Sequence, residues 1–235
     1  MLKKNKNIKV VELGNKSFID ALLIQEKYFN KIIEIKRSNR KSENKISTQN
    51  FMLWVEHKPV ITIGKSGKGK NLLLNKNELV EKKIEYYQTN RGGDITFHGP
   101  GQIVGYPILD LDNFFTDIHK YLRFLEELVI LTLKEYNLNC QRSPGETGVW
   151  LDVETPFARK ICAMGVKASR WVTMHGFALN VNTDLSYFDY IVPCGIKGKG
   201  VTSMENELGE KIPVNEVKEK LTKHFEYLFE ANFNG

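Results

Sequence analysis

The 235-residue sequence predicts an α+β fold around a mixed β-sheet, on three observations. Apolar residues recur at helical period in three well-separated segments, irregular groups of short strand-like runs fill the intervals, and the chain is long enough to bury a large core without cross-links. No internal repeat is present.

The elements follow in order. After the lysine- and asparagine-rich start comes a short strand-like run. Residues Ser17 to Arg37 place Phe18, Ala21, Leu22, Tyr28, Phe29, Ile32 and Ile33 near one face, with Ser17 positioned to cap, which predicts a long amphipathic helix. The stretch 38–50 is polar, lacks aromatic residues and shows little periodicity, so a mobile surface insertion is expected there. It leads into the strand Phe51 to Val55. Further strands are expected at Val60 to Ile63, Glu85 to Thr89, Ile95 to Phe97, Ile103 to Leu111, Gly148 to Val153, Lys160 to Lys167 and Thr173 to Asn182. A second helix follows Thr116, with Ile118, Leu122, Leu125, Val129 and Leu133 on one stripe, and a third runs from about Asn215 to Ala231.

Composition narrows the class. Three cysteines, widely spaced and without a CxxC pair, predict reduced thiols. No apolar run reaches membrane-spanning length and the start lacks the apolar core of a signal peptide, so a soluble, cytoplasmic protein is expected. A net charge of +6 and a pI near 9.0 suit an acidic partner. Nucleic acid is not the expected one, because the lysines are not interleaved with an aromatic platform or a recognition helix.

The chemistry concentrates in a few segments. Arg91 to Gln102 surrounds an arginine and a histidine with four glycines and a proline, a composition that brings backbone close to a bound group. Residues Gly64 to Lys70 match the first seven positions of a phosphate loop, but Asn71 stands where a magnesium-binding hydroxyl is required. A basic loop, contacting an acidic protein, is the simpler reading. His57, His98 and His175 have no metal-ligand spacing, so no metal is expected, and His119 and His224 read as surface or packing residues. Of the cysteines, Cys162 lies among apolar residues of a strand and Cys140 follows a helix end, whereas Pro193-Cys194-Gly195 presents a thiol on a tight turn. A thiol needs a cation or base to ionise near neutrality. A hairpin of the strands beginning at Lys160 and containing His175 would bring both toward one end of the sheet.

These residues resemble the octanoyltransferases of lipoate biosynthesis, the lipoate-protein ligase B family. The resemblance rests on Glu56 to Gly64, Arg91 to Gln102, Gly105-Tyr106-Pro107-Ile108, Lys160 to Gly165, His175 to Asn180, Phe188-Asp189, Pro193-Cys194-Gly195 and Val201 to Met204. It implies a single catalytic domain over residues 1–235, similar to the catalytic domain of biotin and lipoate protein ligases. It also implies transfer of an octanoyl group from octanoyl-acyl carrier protein to a lysine of lipoyl domains, those of 2-oxoacid dehydrogenase complexes and the glycine cleavage H protein. Transfer would pass through a thioester on Cys194, without ATP, cofactor or membrane. Lys160 then stabilises the thiolate and moves protons. The substrate-binding residues implied are Arg91, Gly92, Gly93, Asp94, Ile95, Thr96, Phe97 and His98, with Ala163, Met164 and Gly165, and Gly176, Phe177 and Ala178. Phe97 departs from the tyrosine frequent in that position.

Two rivals share the fold. An ATP-dependent lipoate or biotin ligase would not need Cys194, and an octanoyl amidotransferase would differ in its donor.

Overall fold

The computed structural model describes residues 3–192 and 199–234; Pro193, Cys194 and Gly195 lie outside the described residues. The chain opens with β1 (Asn7–Lys16) and α1 (Phe18–Asn39), followed by β2 (Asn50–His57) and β3 (Val60–Ile63). Next come α2 (Lys76–Glu81), β4 (Glu85–Gln88), β5 (Ile95–His98), β6 (Gln102–Ile108) and α3 (Ile118–Lys134). Then follow β7 (Gln141–Ser143), β8 (Glu146–Leu151), β9 (Arg159–Ser169), β10 (Val172–Asn180), β11 (Gly200–Val201), α4 (Met204–Leu208), α5 (Val214–Phe229) and β12 (Asn232–Asn234).

Among the described residues the strands form two sheets, and the larger is mixed, as the sequence predicts. Its order is β12-β1-β2-β6-β10-β9-β8-β7, with β11 beside the start of β9. The β12–β1, β1–β2 and β11–β9 pairs are parallel and the remaining ones antiparallel. The smaller sheet has the order β4-β3-β5.

Strand alternation assigns the two faces of the large sheet. Phe51, Leu53 and Val55 of β2 join the cluster under α1, with Ala21, Phe29, Ile32 and Ile33. Met52 and Trp54 point the other way, into the cluster with Leu125 and Val129 of α3 and Leu221 and Phe225 of α5. The small sheet has its own core, where Ile61, Ile63, Ile95 and Phe97 pack with Leu79 and Ile191.

Caps explain the helix starts. Ser17 accepts from the Asp20 N–H, and Asp117, one residue beyond the expected Thr116, accepts from the Lys120 N–H. A full capping box, Asn75 with Glu78, nucleates the six-residue α2, too short to show a period in the sequence. The strand expected to run to Leu111 stops at Ile108, since the chain turns at Asp110 into a single 3₁₀ turn.

The 38–50 insertion is tied at several points. Asn39 exchanges two hydrogen bonds with the backbone of Ile46, at 2.7 and 2.8 Å. Thr48 donates to Asp110 at 2.8 Å and accepts from Asn113 at 3.0 Å. Asp110 is 3% exposed and also pairs with Lys36, so α1, the insertion and the turn after β6 share one buried carboxylate.

Candidate functional site

Three separate sequence segments meet on one cavity of about 490 Å³, a volume typical of small-molecule sites. Two of them are cross-strand partners. In the β9–β10 hairpin Gly165 pairs with Gly176, Met164 with Phe177, and Ala163 with Ala178. The third, Arg91 to His98, crosses from the small sheet onto that hairpin, where the Gly92 N–H donates to the Val166 carbonyl at 2.9 Å.

Glycine is required for that approach. A Cβ on Gly165 would sit 2.6 Å from the Gly92 carbonyl oxygen and 3.2 Å from the Arg91 guanidinium, so no side chain fits. Arg91 is buried, and its Nη2 donates to the carbonyl and hydroxyl of Thr62 at 2.9 and 3.0 Å, stapling the glycine-rich segment to β3.

The cavity is lined by Arg91, Gly92, Gly93, Asp94, Ile95, Thr96 and His98, by Ala163, Met164 and Gly165, and by Gly176, Phe177 and Ala178. Phe97 is placed differently. Its ring turns into the core of the small sheet and stacks on Tyr187 at 4.5 Å, and it is not among the lining residues. Its face of β5 turns toward Tyr187 and Phe188, whereas Thr96 and His98 lie on the other face of the strand.

Lys160 lines the same cavity near the start of β9 and is 8% exposed. Its ammonium lies 4.5 Å from the centre of the Trp150 ring, the cross-strand neighbour on β8. Gly148 lies beside the lysine stem, and a Cβ there would sit 2.6 Å from the Cys162 carbonyl oxygen, so no side chain fits. Glu126, buried on α3, accepts from the Gly148 N–H at 3.1 Å and from Arg142 at 3.0 Å, fixing the strand behind the lysine. Val201 of β11 pairs in register with Lys160, which places the residues after 198 against this end of β9.

His175 pairs with Val166, six residues along β9 from Lys160, so the hairpin holds the two apart and not at one end of the sheet as expected; His98 and His175 line the cavity, and His57 packs beside His98. His57 Nε2 and the Tyr106 hydroxyl are 2.8 Å apart, His98 Nδ1 bonds Gln102 Oε1 at 2.8 Å, and the two imidazole rings lie 5.6 Å apart. His175 bonds Asn90 at 3.1 Å. Burial drives all three imidazoles toward the neutral form, His57 down to about 4 and His98 and His175 down to about 3. The Arg91 charge adds to the effect on His98 and His175.

One member, Gln25, was not singled out in the sequence. His175 takes a left-handed backbone conformation, φ 58°, in the middle of β10, and its ring lies against Tyr106. Its N–H is taken by Gln25 Oε1 at 3.0 Å, a polar side chain 0% exposed within the apolar stripe of α1. A glutamine interrupting that stripe is the signal that was available.

The other cysteines are core residues. Cys162 is 0% exposed and burial raises its thiol pKa, while Cys140, also buried, is pushed up to about 12. Cys194 lies outside the described residues. The phosphate-loop resemblance at 64–70 has a structural counterargument: the N–H groups of Gly64, Lys65 and Ser66 already donate to the carbonyls of Asp94, Arg91 and Gly93 at 3.0, 2.9 and 3.2 Å. Donors so committed cannot cradle a phosphate.

Comparison with known proteins agrees with this geometry. The family model described as the lipoyl protein ligase A/B catalytic domain matches residues 22–226. An octanoyltransferase of Christiangramia forsetii is 64% identical over 97% of both chains, and one of Flavobacterium johnsoniae is 63% identical over 97% of this chain and 98% of its own. Among solved structures, the bipartite lipoate protein ligase of Thermoplasma acidophilum superposes with a TM-score of 0.68 at 15% identity, covering 98% of this chain and 86% of that one. A lipoate-protein ligase A bound with ATP gives 0.68 at 14% identity over 98% and 87%, which shows a shared fold. Matched along most of its length by that family model and by relatives near two-thirds identity, the chain belongs to the octanoyltransferases of the lipoyl protein ligase A/B family.

Proposed function

We infer that the protein is an acyltransferase that moves an octanoyl group onto a lysine of lipoyl domains, an early step of protein lipoylation. The observation that carries this reading is identity of 64% and 63% to octanoyltransferases along nearly the whole chain. The cavity supports it: Ile95, Val104, Met164 and Phe177 offer an apolar lining for an acyl chain, and Lys160 supplies a cation in the same cavity. The transfer needs no ATP, because a thioester donor already carries the activation. The whole chain is taken as one catalytic unit acting in the cytoplasm, and among the described residues no helix is long and apolar enough to cross a membrane.

The finer mechanism runs in two balanced steps. The Cys194 thiolate attacks the carbonyl of octanoyl-acyl carrier protein; the new carbon–sulfur bond forms as the old one breaks, and the carrier thiol leaves with a proton. The ε-amine of the acceptor lysine then attacks the Cys194 thioester, giving an amide and returning a proton to the thiol. Lys160 stabilises the thiolate as a cation and in its neutral form accepts the proton of the attacking amine. Backbone N–H groups of the glycine segments are the candidate donors to the oxyanion. The acceptors are the lipoyl domains of 2-oxoacid dehydrogenase complexes and the glycine cleavage H protein.

Intact-protein mass spectrometry tests the first step. After mixing with octanoyl-acyl carrier protein and no ATP, one hydroxylamine-labile octanoyl adduct is expected, mapping to Cys194 and leaving Cys140 and Cys162 unmodified. An adduct that needs ATP, or that persists in Cys194→Ala, overturns the mechanism.

A further inference from the structure

The positive charge of the chain is unevenly placed. From His57 to Asn77 there are five lysines, Lys58, Lys65, Lys68, Lys70 and Lys76, and no aspartate or glutamate. Lys65, Lys68 and Lys70 are exposed, and none of them is in an ion pair among the described residues. Leu73, three residues further, is 57% exposed. An apolar side chain beside a cluster of uncompensated cations has the composition of a protein-binding patch for an acidic surface.

This loop is also built onto the cavity. On one side its backbone bonds to Arg91, Gly93 and Asp94, and Asn71 Nδ2 donates to the Asp94 carboxylate at 2.7 Å. Ser66 itself lines the cavity. On the other side Leu73 donates to the Tyr190 carbonyl at 2.9 Å, and Val192 donates to the Asn71 carbonyl at 2.8 Å. The lysines are thus held in fixed relation to the acyl-binding segment and to the chain just before residue 193.

We propose that the 64–73 loop is the docking surface for the acidic carrier protein that delivers the octanoyl thioester. The inference rests on the octanoyltransferase reading above. The donor fits this patch better than the acceptor, because only the donor must seat an acyl chain between the residues that the loop braces. Electrostatic steering by the lysines then raises the rate at which carrier and cavity meet, and makes that rate fall with salt.

The test compares two donors, octanoyl-acyl carrier protein and octanoyl-pantetheine, in the wild type and in the triple variant Lys65→Glu, Lys68→Glu, Lys70→Glu. A control variant, Arg40→Glu, Lys41→Glu, Lys45→Glu, makes the same change of net charge on the exposed insertion. The expected result is a loss of about ten-fold or more in kcat/KM for the carrier donor in the loop variant alone, with its salt dependence flattened. Its rate with octanoyl-pantetheine and its KM for the lipoyl domain stay within about two-fold of wild type, which also reports an intact fold. Equal carrier kcat/KM in loop variant and wild type, equal losses in both variants, or a rise in acceptor KM instead overturns the docking assignment. A wild type that transfers octanoyl from neither donor overturns the activity itself, and the docking surface with it.

Discussion

At the scale of single residues, the site depends on which groups carry charge. The Lys160 Nζ lies over the Trp150 ring, while burial drives the imidazoles of His57, His98 and His175 toward the neutral form. Those histidines serve as buried hydrogen-bonding groups, and the proposed mechanism takes its cation from Lys160. In Lys160→Met, which keeps the stem and removes the charge, octanoyl transfer is expected to fall by about 10²- to 10⁴-fold. Single-turnover formation of the acyl-enzyme measures it. A variant within about three-fold of wild type would remove Lys160 from the mechanism. Lysine at the head of a strand and glycines without side chains were legible from residue types. The placement of Phe97 was not, because a strand of four residues gives too little alternation to decide which of its side chains face a ligand.

At the scale of elements, the β9–β10 hairpin and the segment crossing it behave as one unit. Gly165 and Gly92 are in backbone contact, so Gly165→Ala must push the glycine-rich segment off the sheet. The expected cost is about 2 kcal/mol of stability, with loss of octanoyl transfer. Gly69→Ala, whose Cβ would meet nothing within 4 Å, is the matched control and should be neutral in both assays. Chemical denaturation separates the two; an unchanged midpoint in Gly165→Ala would mean that the crossing segment gives way without cost. Helices α1, α3 and α5 were readable because each buries a stripe of apolar residues over many turns. The two-sided environment of α1, where Gln25 holds the His175 backbone and Lys36 the Asp110 carboxylate, depends on partners 150 and 74 residues away.

At the scale of the whole molecule, burying three imidazoles between two sheets links stability to pH. In the unfolded chain each histidine binds a proton near its ordinary value of about 6.5. In the folded protein His57 does so only at about 4, and His98 and His175 at about 3. Between those limits the unfolded state binds more protons, so the unfolding free energy falls as pH drops below about 6.5 and recovers no further dependence on these groups below about 3. Each group contributes a slope of up to about 1.4 kcal/mol per pH unit in that window. Denaturant unfolding at a series of pH values should show it, and His57→Gln should lower the slope by about one proton between roughly pH 6 and 5. An unchanged slope would mean that this imidazole titrates alike in both states.

Local sequence by itself determined the fold class, most helices and strands, and the three segments that line the cavity. These follow from short-range properties: periodicity, capping, and the chemistry of residue types at fixed spacing. Only the tertiary structure decided that the strands divide into two sheets with a cavity between them, that the Gly64, Lys65 and Ser66 amides are already committed, and that His175, Gln25 and Tyr106 form a buried polar cluster. The reason is that each of these is a pairing between residues distant in sequence, chosen by which buried donors and acceptors find one another once the core has closed.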